Sequence, residues 1–315
     1  MKSCGRALFE NAESVGAGVE HRGLTTEEVD ALLVSILPGC DRQDVATSLQ
    51  TAEFAANDAR NTQGGIPLVS AYIAWVDEAV RQLRTRVSTA DVERLVLTKR
   101  CWMLQPMVGD TSPLILGLIQ AELDERVSEL GAAHASLREQ ITRWSRPGAF
   151  VVADTSVYIE APTKLEDLDF APLVKVRHEP VHLLVPIVIV DELDGLKRSS
   201  DKRVRWRAGY TLAVLDRVFA TTAGPARLRA EDFSALQTGG IPRGEVTIEF
   251  VLDPPGHQRL SINDDEIVDR TLAVQALAGR PVTLLTYDTG LSLRARPTAL
   301  QEVKLSKPLE SEPPG

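Results

Sequence analysis

The stretch Phe150–Ile159, FVVADTSVYI, decides how this chain is read. An apolar run of buried-strand type ends on Asp154, and two hydroxyl residues, Thr155 and Ser156, follow at once. A strand that delivers a carboxylate to its C-terminal tip is a common way for α/β folds to build a site. Three later acidic segments are placed to converge on that tip: Glu192 in VIVDELDG, Asp264 and Asp265 in NDDEIVDRTL, and Asp288 in LLTYDTG.

Upstream of this strand the pattern is helical. Thr25 with Glu28 three positions on makes a capping box after a polar, Gly-rich arm. Helical runs follow over about Asp41–Arg60 and Leu68–Arg86, with a Ser88/Asp91 cap opening another. Ser112-Pro113 starts a helix that reaches about Trp144, along which Leu116, Ile119, Leu123, Val127, Leu130, His134, Leu137 and Ile141 keep steps of three and four. That stripe is expected to pack within the chain's own helical half. Ser145-Arg146-Pro147-Gly148 punctuates the chain, which predicts a helical domain over residues 1–146 and an α/β domain over 147–307, with a disordered Pro- and Glu-rich tail at 308–315.

Downstream, strands and helices alternate. Val181–Val185 reads as a strand, and Pro186 opens a helix carrying Glu192. A basic helix runs from about Arg203 to Phe219. Residues 224–262 are rich in Gly and Pro and contain one β-type run, Val246–Leu252, expected as an inserted or edge strand. A helix over Asp264–Ala278, a strand over Val282–Leu285 and a last strand over Leu300–Leu305 complete the pattern. Such alternation implies a mainly parallel sheet covered by helices on both faces, an α/β/α sandwich preceded by an all-α domain.

Composition narrows the function classes. The chain has 315 residues, a net charge of −9 and three cysteines, Cys4, Cys40 and Cys101, none in a CxxC pair. This disfavours a thiolate zinc site or a disulfide framework. No apolar run of membrane-span or signal-peptide length is present, so a cytoplasmic protein without membrane attachment is expected. His178 and His182 flank Pro180 with no further ligand nearby, and both are expected at a surface or an edge.

Each acid alone has a plain explanation, since Asp154 and Asp288 could cap helices and Asp264 and Asp265 could favour a helix start. Together they are harder to dismiss. Carboxylates crowded within a few ångströms repel unless a cation neutralises them, and all-oxygen ligands suit Mg²⁺ or Mn²⁺. Such a site serves phosphoryl chemistry. Against the acidic background, Lys197, Arg198, Lys202, Arg203, Arg205 and Arg207 crowd into eleven residues beside the Glu192 helix. They are placed to hold a phosphate backbone. Trp206 among them offers a ring on which an unpaired base could stack, but burial of the indole is the expectation that prevails.

The ordered set VVADTSVYI, PIVIVDELDGLK, NDDEIVDRTL and LLTYDTG resembles the PIN domain, a metal-dependent nuclease fold, over about residues 149–305. The DELDGLK stretch with its basic helix is most similar to the larger PIN domains joined to PhoH-type ATPases. The resemblance implies that Asp154, Glu192, Asp264 and Asp288 hold Mg²⁺ or Mn²⁺, that Asp265 stands beside them, and that Thr155, Ser156 and Thr286 orient the acids or a water. It implies an endoribonuclease acting on single-stranded RNA, with toxin and RNA-processing roles both open. A non-catalytic RNA-binding or assembly module with the same fold is the alternative. The N-terminal helices fall outside the resemblance and are open to a second copy or a regulatory protein. An aspartyl-phosphate enzyme is disfavoured because no Asp stands two residues after Asp154.

Overall fold

The computed structural model describes residues 34–107, 109–222, 224–253 and 257–306. The polar arm, the Thr25 capping box and the tail 308–315 lie outside the described residues. The first half folds as α1 (Arg42–Arg60), α2 (Ile66–Leu83), α3 (Thr89–Leu95), α4 (Lys99–Leu104) and the long α5 (Pro113–Arg143). The starts at Asp41, Ser88 and Ser112-Pro113 are the ones the sequence marks, while α2 begins two residues earlier than expected and α4 was not foreseen. The Asp41 carboxylate accepts from the amides of Gln43 and Asp44, and the hydroxyls of Ser88 and Thr98 cap α3 and α4.

The three-four stripe of α5 is spent inside this half. Ile119, Leu123, Leu130, Leu137 and Ile141 are buried in one core with Leu49 of α1 and Leu83 of α2. That core also contains charge: Glu122 is almost fully buried and is held by Arg126 at 3.3 Å, Arg100 at 3.0 Å and the Thr98 hydroxyl at 2.6 Å. A buried carboxylate persists only with such partners.

The second half begins with β1 (Ala149–Ala153) and α6 (Thr155–Glu160), then α7 (Phe170–Leu173), β2 (Val181–Pro186), α8 (Ile187–Leu196) and α9 (Lys202–Phe219). It continues with β3 (Ala226–Arg229), β4 (Val246–Val251), α10 (Asn263–Ala278), β5 (Val282–Thr286), α11 (Thr289–Ala295) and β6 (Gln301–Lys304). The strands form one sheet in the order β3-β4-β2-β1-β5-β6, parallel except for β3. Chain order runs toward β4 first and then jumps back to β5. Right-handed crossovers therefore put α6, α8 and α9 on one face and α10 and α11 on the other. The reversal falls between β1 and β5, the topological switch point where open α/β sheets open a crevice at their strand tips.

Two expectations about the sheet are corrected. Val246–Val251 is an interior parallel strand, flanked by β2 and β3, and the edge is β3, which the sequence did not reveal. The edge expectation came from the Gly- and Pro-rich surroundings of this strand, and the charged residue in its middle is Glu249. Its carboxylate is buried, and both of its oxygens are taken by the helical half, Oε1 by Arg143 and Oε2 by Arg146 at 2.5 Å. His182 is likewise interior. It is buried on β2, with Nε2 2.8 Å from the Pro147 carbonyl and Nδ1 2.7 Å from the Thr247 hydroxyl. Burial lowers its pKa, so the ring is neutral near pH 7. His178 is exposed, as expected, with its ring edge-on to Phe233.

The link between the halves is tight. Gly148 has φ +116° and a Cβ there would fall 2.4 Å from the Pro180 carbonyl oxygen, so only glycine lets the chain enter β1 beside β2. Trp144 meets Phe150 edge to face, at 5.8 Å between ring centres. The Arg280 guanidinium lies over the other side of that junction, 4.2 Å from the Phe150 ring centre.

Candidate active site

At the tip of β1, Asp154 plays the capping role and a second one together. Oδ1 accepts from the Val157 amide at 3.2 Å and from the Ser156 hydroxyl, which fixes the start of α6. Oδ2 accepts from the hydroxyl of Thr286, at the tip of β5, at 2.5 Å. The same Thr286 oxygen accepts from the Asp288 amide at 2.8 Å, and the Ser156 oxygen accepts from the Tyr287 amide at 2.8 Å. Two hydroxyls thus lace the tips of neighbouring strands together, and they leave Oδ2 of Asp154 with a spare lone pair.

Asp154 is almost fully buried, and burial pushes its carboxyl up to about 6 against the hydrogen bonds from Ser156, Thr286 and Val157. Asp288 caps α11 by accepting from the Leu291 amide at 3.0 Å. Asp264, in the first turn of α10, comes against it. A Cβ on Gly290 would lie 3.0 Å from Asp288 Oδ1 and 3.6 Å from Asp264 Oδ2, so both oxygens border one point that glycine keeps open. Partial burial and then the Asp288 charge raise the Asp264 pKa; Arg294 opposes them, and Glu192 and Asp265 push further up.

Glu192 reaches the cluster from α8. One of its oxygens accepts from the Thr155 hydroxyl, and the other accepts from the Asn263 side-chain amide at 2.8 Å. Asp265 turns away to Arg294, 2.7 Å off, whereas Asp264 Oδ2 is 3.6 Å from the same guanidinium. Of this adjacent pair, Asp264 is the one that shares the Gly290 gap with Asp288. Asn263, Gly290 and Arg294 are the site residues that sequence reasoning passed over. Asn263 and Gly290 stand in the quoted acidic motifs, but neither residue type announces a role by itself.

The donor set is all oxygen, and the pKa values of Asp154 and Asp264 are both raised, by burial and, for Asp264, by neighbouring carboxylates. A hard divalent cation relieves both burdens at once, so the residues fit such an ion. A second acidic group lies nearby. Among the described residues, Asp253, His257 and Glu266 bring ligand atoms within 4.8 Å of one another, whereas no three of Asp154, Glu192, Asp264 and Asp288 do. There His257 Nε2 is 2.7 Å from Glu266 Oε1, the Leu260 amide donates to Oε2 at 2.9 Å, and Arg259 spans Asp253 and Asp191. With Arg259 and Arg270 already supplying positive charge, this trio reads as the clamp that fastens the approach to α10 onto α8.

The basic strip divides. Lys197, Arg198, Lys202, Arg203 and Arg205 are exposed at the α8–α9 turn and on α9. Arg207 is not available to a ligand. It is buried and donates to the carbonyls of Tyr158 and Ala161 at 3.0 Å and of Thr163 at 2.7 Å, closing the end of α6. Its helical phase, two residues on from Arg205, turns it toward α6. Trp206 shows the opposite error, since it is 54 % exposed where burial was expected.

Among the described residues no helix is long and apolar enough to cross a membrane. No curated protein and no solved structure matches the chain. A family model described as PIN domain matches residues 151–305, a span that opens on β1 and ends just past β6. With the switch-point crevice and its acids in that span, the second half of this chain is a PIN domain, a fold that is generally a divalent-metal-dependent nuclease.

Proposed function

We propose that the protein is an endoribonuclease that hydrolyses phosphodiester bonds of single-stranded RNA, with Asp154, Glu192, Asp264 and Asp288 holding Mg²⁺ or Mn²⁺. The observation that carries this reading is the meeting of Asp154 and Asp288 at adjacent strand tips, cross-linked through Thr286, with Asp264 brought against Asp288. When bound, a divalent cation supplies an acidified water and screens charge on the phosphate oxygens.

The chain's own groups do the positioning. Ser156 and Thr286 fix both Asp154 oxygens, so the carboxylate needs little reorganisation to meet a ligand. Thr155 and Asn263 hold Glu192 in the same way. Arg294 keeps Asp265 out of the cluster and offers a positive charge at its rim. Among the described residues no side-chain hydrogen bond or ion pair ties down Arg198, Lys202 or Arg203, which leaves their charge for a phosphate backbone. A single strand is favoured over a duplex because its backbone can enter the crevice between the α8 side and the α10 side of the tips. The helical half, taken as a domain of its own over residues 1–146, is assigned a regulatory or partner-binding role on the same footing, and a cytoplasmic setting suits an RNA substrate.

The test is incubation of the purified chain with end-labelled single-stranded RNA and single-stranded DNA, with Mn²⁺, with Mg²⁺ and with EDTA. Internal cleavage of RNA that needs the cation is the expected result. Cation-independent binding without cleavage would instead support a non-catalytic RNA-binding module.

A further inference from the structure

On α9, Trp206 lies one turn from Tyr210, and the two rings stack, with centres 5.2 Å apart and planes 22° from parallel. More than half of Trp206 is open to solvent. Lys164, just beyond α6, places its ammonium 4.8 Å from the centre of the Tyr210 ring and 5.8 Å from that of Trp206. Tyr210 is held from beneath, its hydroxyl donating to Glu166 at 2.5 Å, and Arg217 holds Glu166 in turn. An indole left in water on an otherwise acidic protein, braced by a second ring, with Lys164 beside it and Lys202 and Arg203 about one turn before it on α9, is a platform for a flat ligand.

The platform is tied to the crevice. Arg207, the residue after Trp206, grips the last turn of α6 and the carbonyls beyond it, and α6 starts at Asp154. Six helical residues at 1.5 Å each set the two ends about 9 Å apart. A strand that crosses the carboxylates and continues along α6 toward Arg207 comes to the neighbourhood of Trp206 within a few nucleotides.

We propose that Trp206, backed by Tyr210, is a base-stacking subsite for single-stranded nucleic acid, with Lys164, Lys202 and Arg203 taking the flanking phosphates. The proposal rests on the nuclease reading for the direction of the strand but not for the contact itself. Every base has a π face, so such a subsite is tolerant of sequence, and Arg and Lys add cation–π and phosphate attraction. Tyr210 contributes by stiffening the indole, so that little freedom is lost when a base lands on it.

The experiment is fluorescence anisotropy with labelled oligoadenylate and oligouridylate RNA in EDTA, where no cleavage can occur, for the intact chain and for Trp206→Ala, Trp206→Phe and Tyr210→Leu. Trp206→Ala is expected to weaken binding roughly tenfold. Trp206→Phe should recover most of that, Tyr210→Leu should weaken binding by less than Trp206→Ala does, and the Trp206 variants should melt with the intact chain. In the cleavage assay Trp206→Ala should raise KM and leave kcat alone. Equal affinities for the intact chain and Trp206→Ala would overturn the subsite and leave the exposed indole to a protein partner. Stacking-dependent binding by a chain that never cleaves would sink the nuclease reading and leave the subsite standing.

Discussion

The hydroxyl of Thr286 donates to Oδ2 of Asp154 at 2.5 Å, joining the tip of β5 to the tip of β1. Because the same oxygen accepts from the Asp288 amide, one threonine sets the spacing of two acids that are 134 positions apart in the chain. Thr286→Val keeps the shape and removes the donor. Asp154 then loses one of the bonds that hold its pKa down, and a buried oxygen is left unpaired. The variant should lose about 1–3 kcal/mol of stability by urea unfolding. Its cleavage should rise with pH later than the wild type's, because more Asp154 stays protonated.

Asp154 itself carries a stability cost. Its folded pKa, about 6, lies above the ordinary carboxylate value, so the folded state takes up a proton that the unfolded chain has released. Wild-type stability from this group is full below pH 4 and is lost as pH rises through 6. Asp154→Asn removes the charge, so in EDTA at pH 7.5 it should be more stable than wild type by roughly 1–3 kcal/mol. Melting curves from pH 3.5 to 8 should show that gain shrinking toward zero at the acid end.

Gly290 is required by the oxygens around it. A methyl group there would press on Asp288 at 3.0 Å and crowd Asp264. Alanine is a good helix former, so Gly290→Ala should leave the melting temperature within a few degrees while weakening Mn²⁺ binding, measured by calorimetry, about 10-fold or more.

The seam between the halves hangs on Glu249. Glu249→Ala leaves Arg143 and Arg146 facing each other without their shared carboxylate. Breaking a buried pair from one side costs about 3–5 kcal/mol, and partial exposure of both arginines puts this case near the lower end. Chemical denaturation should show it. Arg143→Ala should cost less, because Arg146 remains.

Much of this was legible in the chain. Asp154, Glu192, Asp264 and Asp288 could be picked out because each follows an apolar strand or stands in a helix beside one, and strand tips in a parallel sheet all point one way. What sequence could not supply was rotation. Arg207 and Trp206 are neighbours on one helix, and a turn of about 100° decides which goes inside. The guanidinium goes in because the carbonyls after α6 need a donor, and the indole stays out. His182 misled for a related reason and the role of Glu249 was not foreseen, since their partners, Arg143, Arg146, Pro147 and Thr247, come from distant segments that periodicity does not see. The choice of Asp264 over Asp265 became geometric only when Arg294 and Gly290 were seen on either side of them.

The most direct measurement is the rate of Mn²⁺-dependent cleavage of a labelled single-stranded RNA by the intact chain and by Asp154→Asn, with the fold of both verified by melting with EDTA in place of Mn²⁺. The account predicts that Asp154→Asn loses at least 100-fold in rate, of the order seen when one group aimed at developing charge is removed, while melting no lower than wild type. Cleavage by Asp154→Asn at the wild-type rate would contradict it.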